Sequence, residues 1–477
     1  MSLNYLREVL DSKKISAYEL VTDYLDKINK KNQILNCYIT VCKDEAINEA
    51  KIAQKVIDRG EAQALTGIPL SIKDNICTKN IRTTCASKML LGYAPVYDAT
   101  VVKKLKDENA VILGKTNMDE FAMGSDGSTS YFGNTKNPYD INRSAGGSSS
   151  GAASAVAAGL CAFSIGTDTG GSVRQPAAMC GVTGLKPTYG TVSRYGFIPF
   201  ASSLDQIGII AKSARDTGFV LNSIHGADEN DMTSVKNLKR NYLSEIGKSI
   251  KGHIIGIADE FFEGASDEVI KSVFDAVDFY KSCGAEIKRV SIPSLSCAVS
   301  AYYLISSAEA ASNLARFDGI KYGLRENDAT CYEDLITKTR SDGFGWEVKR
   351  RIMLGNYALS DGYFEDYYNN AVKIRNCIIN EFKGAFSECD AILTPTSPHT
   401  AKVLAGNDDN PTRKYLDDFC TVGANIAGLP AISTVCGYDN SNMPIGMSLI
   451  GRAFEDANII SLADSFEKEF TRQEASI

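Results

Sequence analysis

Apolar residues recur at helical spacing through the first sixty positions, then break into short runs separated by turns. Leu20, Val21, Tyr24, Leu25 and Ile28 share one face of a helix. Ser16-Ala17-Tyr18-Glu19, just before them, has the form of a capping box, in which serine and glutamate satisfy each other's backbone amides. Ile47, Ala50, Val56 and Ile57 keep the spacing up to Gly60, which predicts a stop. Further on, residues 68–72 predict a strand, 99–107 a helix and 110–113 the next strand. Residues 151–159 predict a helix of small residues, and 161–165 another strand. The alternation returns at 254–257, 391–394, 431–435 and 446–450, and 458–470 predict a closing helix. Strands alternating with helices predict an α/β fold whose sheet is covered on both faces.

A chain of 477 residues has room for about two to four domains. Residues 213–390 are more helical and more charged than the rest, yet no Pro/Gly/Ser linker sets them apart, and no internal repeat is visible. The organisation expected is one large α/β domain: an N-terminal helical segment at 1–65, a core at 66–212, a helical elaboration at 213–390 and the rest of the core at 391–477.

Composition narrows the function classes. A formal net charge of −7 argues against a chain that grips nucleic acid by its own broad basic face, although an RNA held mainly by another subunit stays open. The thirteen cysteines are odd in number and form no C-x-x-C, which predicts buried thiols in a reducing cytoplasm rather than disulfides or zinc. The opening MSLNYLREVLDSKK has no apolar core of a secretory signal, and no apolar run reaches membrane-spanning length.

Candidate chemistry concentrates in GGSSSGAASAVAAGLCAFSIGTDTGGS, residues 146–172, which offers Ser148 and Ser172 in glycine-flanked turns. Glycine lets backbone amides approach a ligand closely, and a serine beside such amides can attack a carbonyl while they hold the oxyanion. Residues 147–151 also match the G-x-S-x-G elbow of serine hydrolases, but the polar NPYDINRSAG before them is no strand, and His225, His253 and His399 are the only histidines available as base. GVTGLKPT, residues 181–188, lacks P-loop spacing, and Pro187 removes a donor. No cluster of His, Cys and acidic residues predicts a metal site. Two serines remain, with Lys73 at the end of the apolar run IPLSIK. A buried lysine whose pKa falls can act as base, taking a proton relayed through one serine from the other. The pattern alone leaves catalysis and a plain Gly/Ser loop both open.

At these residues the chain resembles the amidase signature family, with Lys73 in SIKDN, Ser148 in GGSSSG and Ser172 in DTGGSVRQPA. The resemblance implies that Ser172 is the nucleophile, that Ser148, in a cis peptide, relays the proton, and that Lys73 is the base. It also implies an oxyanion hole at Thr169, Gly170 and Gly171, and a single α/β/α domain around a large mixed sheet. GLKPTYGTVSRYGFIPFASSLDQIG (184–208), MDEFAMGS (118–125), ARFDGIKYG (315–323) and EVKRRIMLG (347–355) are similar to one branch of that family, the A subunits of tRNA-dependent amidotransferases. That branch implies glutamine as substrate. Its α-amino and α-carboxylate groups would be held by Asp418 of YLDD and Arg351 of KRRIMLG, with Tyr302 and Ser125 nearby. A zwitterion wants an opposite charge at each end, and arginine suits a carboxylate. The register within Asp417/Asp418, Arg350/Arg351 and Tyr302/Tyr303 stays open. Two departures stand out: Ser150 replaces a glycine of the usual motif, and Ile209 replaces a proline.

The resemblance implies no cofactor in this chain. ATP and Mg belong to a B subunit that receives ammonia and contacts the tRNA, while a small C subunit ties the heterotrimer together. Two other readings compete. One is a stand-alone amidase for small or lipid amides, with a more apolar pocket. The other is a catalytically silent scaffold, and the intact Lys73, Ser148 and Ser172 argue against it.

Overall fold

Eleven strands join in one mixed sheet: β1 (Tyr38–Val41), β2 (Pro69–Lys73), β3 (Val111–Thr116), β4 (Phe163–Asp168), β5 (Thr183–Lys186), β6 (Gln206–Ala211), β7 (Ile254–Ala258), β8 (Glu286–Val290), β9 (Ala391–Pro395), β10 (Ala431–Tyr438) and β11 (Pro444–Gly451). Their order is β1-β3-β2-β4-β6-β5-β10-β11-β9-β7-β8. The computed structural model describes residues 1–236, 238, 240–404 and 417–477. Helices cover the sheet, as the alternation predicts. Strands β1, β5, β6 and β8 were not anticipated; β1 and β5 have four residues each, too few for a period to emerge.

Strand β2 pairs in parallel with both β3 and β4, so Ile72 lies opposite Ile165 and the carboxyl ends of β2 and β4 open side by side. Lys73 ends β2 and Asp168 ends β4. Every residue of β2, β3, β4 and β6 is buried, which explains runs such as QIGIIA that lack polar alternation. Each isoleucine withdrawn from water there contributes about 1.5–3 kcal/mol. Ile209 sits inside this ladder, opposite both Ile165 and Leu185.

The helix Ser150–Ala157 is buried along its whole length because its residues are small. A Cβ at Gly151 would collide with the Cys37 carbonyl and the Asn117 backbone. Ser150 opens this helix outside the positive-φ set, and its hydroxyl donates to Thr135 Oγ1 (3.1 Å), so the departure from glycine carries no backbone strain. The capping box at Ser16 and Glu19 is formed.

A second apolar cluster gathers between helices Ala298–Leu314, Trp346–Leu359, Asn370–Ala385 and Phe419–Ile426. Gly355 lets two of them touch, since a Cβ there would strike the Ser307 carbonyl. One turn before each contact point stand Tyr303 and Arg351. The span 213–390 is thus not purely helical: β7 and β8 within it extend the same sheet beyond β9. Among the described residues no helix is long and apolar enough to cross a membrane.

Candidate active site

Lys73 is fully buried, and its Nζ donates to Ser148 Oγ (2.7 Å), Ser149 Oγ (2.9 Å) and the Thr167 carbonyl (3.2 Å). Burial pulls its pKa down to about 7, against the opposing pull of Asp119, Asp168 and Asp205. A lysine in that state supplies a neutral amine near neutrality. Exposure rises from Lys73 and Ser148, both 0%, to Ser172 at 8%, so the three run from the interior towards solvent.

The Gly147–Ser148 peptide is cis. Gly147 N–H donates to Gln175 Oε1 (2.9 Å), and the Ser148 carbonyl accepts from Asp119 N–H (3.2 Å). Ser149 N–H donates to the Ser172 carbonyl (3.0 Å), which ties the two serine turns together. Ser125 lies alongside: its carbonyl accepts from Gln175 Nε2 (2.9 Å).

The turn after β4 is wound around the Asp168 carboxylate. It accepts from the N–H of Gly171 (2.9 Å) and Val173 (3.1 Å), from Arg174 Nε and Nη2 (both 3.0 Å) and from Asn425 Nδ2 (2.9 Å). Burial alone would raise its pKa, but the Arg174 charge and these donors outweigh burial and hold it well below the usual carboxylate range. Gly171 has φ +136, and a Cβ there would collide with Thr421 Oγ1. At Gly170 a Cβ would come within 2.6 Å of the Tyr302 hydroxyl. Both glycines are therefore needed for close approach. Thr421 Oγ1 donates to the Gly170 carbonyl and Thr169 Oγ1 to Asp205 Oδ1, each at 2.5 Å. Of the three residues expected at an oxyanion hole, Gly171 has its amide turned to Asp168, where it shapes the turn.

The charged end comes from elsewhere. Tyr303 Oη donates to Asp418 Oδ2 (2.7 Å), and the Arg351 guanidinium lies 4.3 Å from the centre of the Tyr303 ring. Arg351 Nε donates to Glu347 Oε1 (2.6 Å). Burial pushes the Asp418 carboxyl up to about 7, while Tyr303 and Arg351 oppose the rise and Asp417 adds to it. Asp418 immediately precedes the helix Phe419–Ile426, whose Thr421 is bolted to Gly170, so both ends share one site.

The members of each neighbouring pair take different partners. Arg351 and Asp418 are the inward members of their pairs; Asp417 instead meets Lys402 at 2.5 Å. Tyr302 packs on Gly170, two residues before Ser172, and Tyr303 meets the charged pair. Tyr415 and Leu416 of YLDD lie outside the described residues. Sequence reasoning missed Ser149, Asp168, Arg174 and Thr421, and offered Tyr303 only as the alternative to Tyr302. Asp168 and Arg174 flank TGGSV as a charge pair in an otherwise small-residue stretch, a signal available beforehand; Thr421 carries none. Two of the three histidines are held elsewhere: His225 Nδ1 contacts the Leu221 and Asn222 carbonyls, and His253 Nδ1 that of Ile250, while His399 lines a small cleft with Ser125, Gln175 and Asp417.

The amidase family model matches residues 19–460. The chain is 50% identical over 473 residues to the A subunit of glutamyl-tRNA(Gln) amidotransferase of Ruminiclostridium cellulolyticum, covering 99% of this chain and 97% of the relative. It is 51% identical over 472 residues to the same protein of Thermoanaerobacter pseudethanolicus, covering 98% and 96%. The crystal structure of the glutamyl-tRNA(Gln) amidotransferase A subunit from Thermotoga maritima superposes with a TM-score of 0.81 at 41% identity, over 100% of this chain and 96% of that one. The native peptide amidase of Stenotrophomonas maltophilia superposes with a TM-score of 0.83 at 28% identity, over 100% and 98%. Matched by the family model from residue 19 to residue 460, and 50% identical to a curated relative over 99% of its length, the chain belongs to the amidase family.

Proposed function

We propose that this chain is the glutaminase subunit of a tRNA-dependent amidotransferase, hydrolysing glutamine to glutamate and ammonia. The observation that carries the reading is the pairing of a buried Arg351 and a half-buried Asp418, joined through Tyr303, with Lys73, Ser148 and Ser172. An amidase of simple amides has no use for two opposite charges set on either side of one tyrosine at this site, whereas a free amino acid presents a carboxylate and an ammonium to match them.

Ser149 Oγ gives its own proton to the Thr167 carbonyl (3.2 Å), so it accepts from Lys73. The lone pair of the neutral amine is then free to take the Ser148 proton. Ser172 Oγ attacks the side-chain amide carbon of glutamine while its proton passes to Ser148 and the Ser148 proton to Lys73. The amides of Thr169 and Gly170 face the oxyanion, in the role first expected of all three turn residues. The carbon–nitrogen bond breaks, the leaving nitrogen takes the proton back through the relay, and ammonia departs. Water then hydrolyses the glutamyl ester along the same relay and frees Ser172. Arg351 holds the α-carboxylate and Asp418 the α-ammonium, with Tyr302, Tyr303 and Ser125 shaping the pocket.

Relatives named as A subunits support a multi-subunit assembly. In this reading a B subunit receives the ammonia, holds ATP and Mg and carries the tRNA contacts, and a small C subunit completes a cytoplasmic heterotrimer. The B subunit would convert Glu-tRNA(Gln) to Gln-tRNA(Gln). This chain needs no cofactor for its own step.

The test is ammonia release from glutamine and from butyramide, by wild type and Ser172→Ala, with the chain purified alongside the subunits that accompany it. Glutamine-selective release that vanishes in the variant supports the reading. Equal or better release from butyramide sinks the glutamine assignment in favour of a general amidase.

A further inference from the structure

Glu120 is 3% exposed and stands far in sequence from the residues it holds. Its Oε2 accepts from Gly345 N–H (2.8 Å), and its Oε1 from the Ser87 hydroxyl. Gly345 is the residue immediately before the helix Trp346–Leu359, and no side chain of that segment caps the helix itself. The Glu120 carboxyl, pushed up to about 7 by burial, therefore supplies the acceptor that this helix N-terminus otherwise lacks. Within the first turn, Glu347 takes Arg351 Nε at 2.6 Å. Glu120 thus reaches Arg351 through the Gly345 joint and, two residues further along the same first turn, Glu347. A Cβ at Gly345 would strike Glu120 Oε2, so the joint has no slack.

The neighbouring residue faces the other end of the site. Asp119 N–H donates to the Ser148 carbonyl (3.2 Å), and the Asp119 carboxylate accepts from Gly127 N–H (3.0 Å) and Thr129 Oγ1 (2.9 Å). Glu120 N–H donates to that same Thr129 hydroxyl (2.9 Å). Two adjacent acids thus register the relay serine and the recognition helix against one another.

From this geometry we infer that Glu120 is a positioning residue for the substrate's α-carboxylate. It pins the first turn of the Trp346–Leu359 helix and so sets where the Arg351 guanidinium stands relative to Ser172. The inference rests on the glutamine reading above. A guanidinium displaced by a fraction of an ångström loses a charged hydrogen bond to the substrate, while the chemistry at the amide is untouched.

The experiment measures steady-state ammonia release from glutamine and from butyramide, which lacks both charged groups, using the full chain with its accompanying subunits. Glu120→Ala should raise KM for glutamine about tenfold and leave kcat within about twofold, with kcat/KM for butyramide also within about twofold. Glu120→Gln keeps an oxygen for Gly345 N–H and should recover most of the loss. Gly345→Ala pushes the same joint from the other side; its φ of −68 suits alanine, so it should raise KM in the same way. In an Arg351→Met background Glu120→Ala should add nothing further. Parallel loss on both substrates, an unchanged KM in Glu120→Ala and Gly345→Ala together, or additivity with Arg351→Met would overturn the role. A wild type with no preference for glutamine over butyramide would instead strike the functional reading.

Discussion

Lys73, Ser148 and Ser172 stand on a strand end and two glycine-flanked turns within residues 66–212, whereas Tyr303, Arg351 and Asp418 come from three separate helical segments. The hydrolytic end leans on buried parallel strands and on backbone contacts too close for a Cβ. The recognition end leans on side chains meeting across helix packing, with the aromatic ring of Tyr303 between two charges. A triad must hold proton-transfer distances through every step, so it is built where the backbone itself fixes position. A charged pair that only orients substrate tolerates a softer setting. Changes at the first end should therefore appear in kcat for every amide, and changes at the second in KM for glutamine.

The strongest break is Ser172→Ala, which should lower kcat about 10⁵-fold or more on glutamine and butyramide alike, read as ammonia release. Lys73→Met should lower kcat about 10³-fold on both substrates, because it removes the amine bonded to Ser148 Oγ. Gly171→Ala, which forces a Cβ against Thr421 and demands φ +136 of alanine, should cost roughly 10²-fold in kcat while the protein stays folded by circular dichroism. Arg351→Met should move the contrast to the other end, with glutamine losing about 100-fold more kcat/KM than butyramide, mostly through KM.

The smallest effect separates the ends by pH. Lys73, with its pKa pulled to about 7 by burial, accepts a proton only when neutral, so kcat/KM for butyramide should fall as pH drops below about 7. Asp418, pushed up to about 7 by burial, holds the substrate ammonium only when ionised. Its protonation acts in the same direction, so kcat/KM for glutamine should fall more steeply than for butyramide, by about an extra tenfold per pH unit. Asp418→Asn should abolish that extra slope. Parallel profiles for the two substrates would show that Asp418 does not titrate against the ammonium.

Legibility followed the same division. Ser148 and Ser172 could be read as candidates because each lies in a short motif whose glycines announce tight turns, and Lys73 because it ends an apolar run. The sheet could be read in outline because its longer strands are continuous apolar runs. The four-residue β1 and β5 stayed hidden, since so few residues carry no period. Ser149 was passed over because its neighbour Ser148 carried the expected role.

The sequence by itself determined the residue types of the triad, the small residues that let its turns close, and the α/β class. Tertiary structure decided which of two neighbours faces the site. Tyr302 and Tyr303 differ by about 100° around one helix, so only the packing of that helix on its partner settles that one meets Gly170 and the other Asp418. Asp417 and Asp418 likewise part company only once Lys402 and Tyr303 are in place. It also decided the chemistry of Lys73. An amine carries its proton in water, and burial among β2, β3 and β4 makes it a base near neutrality.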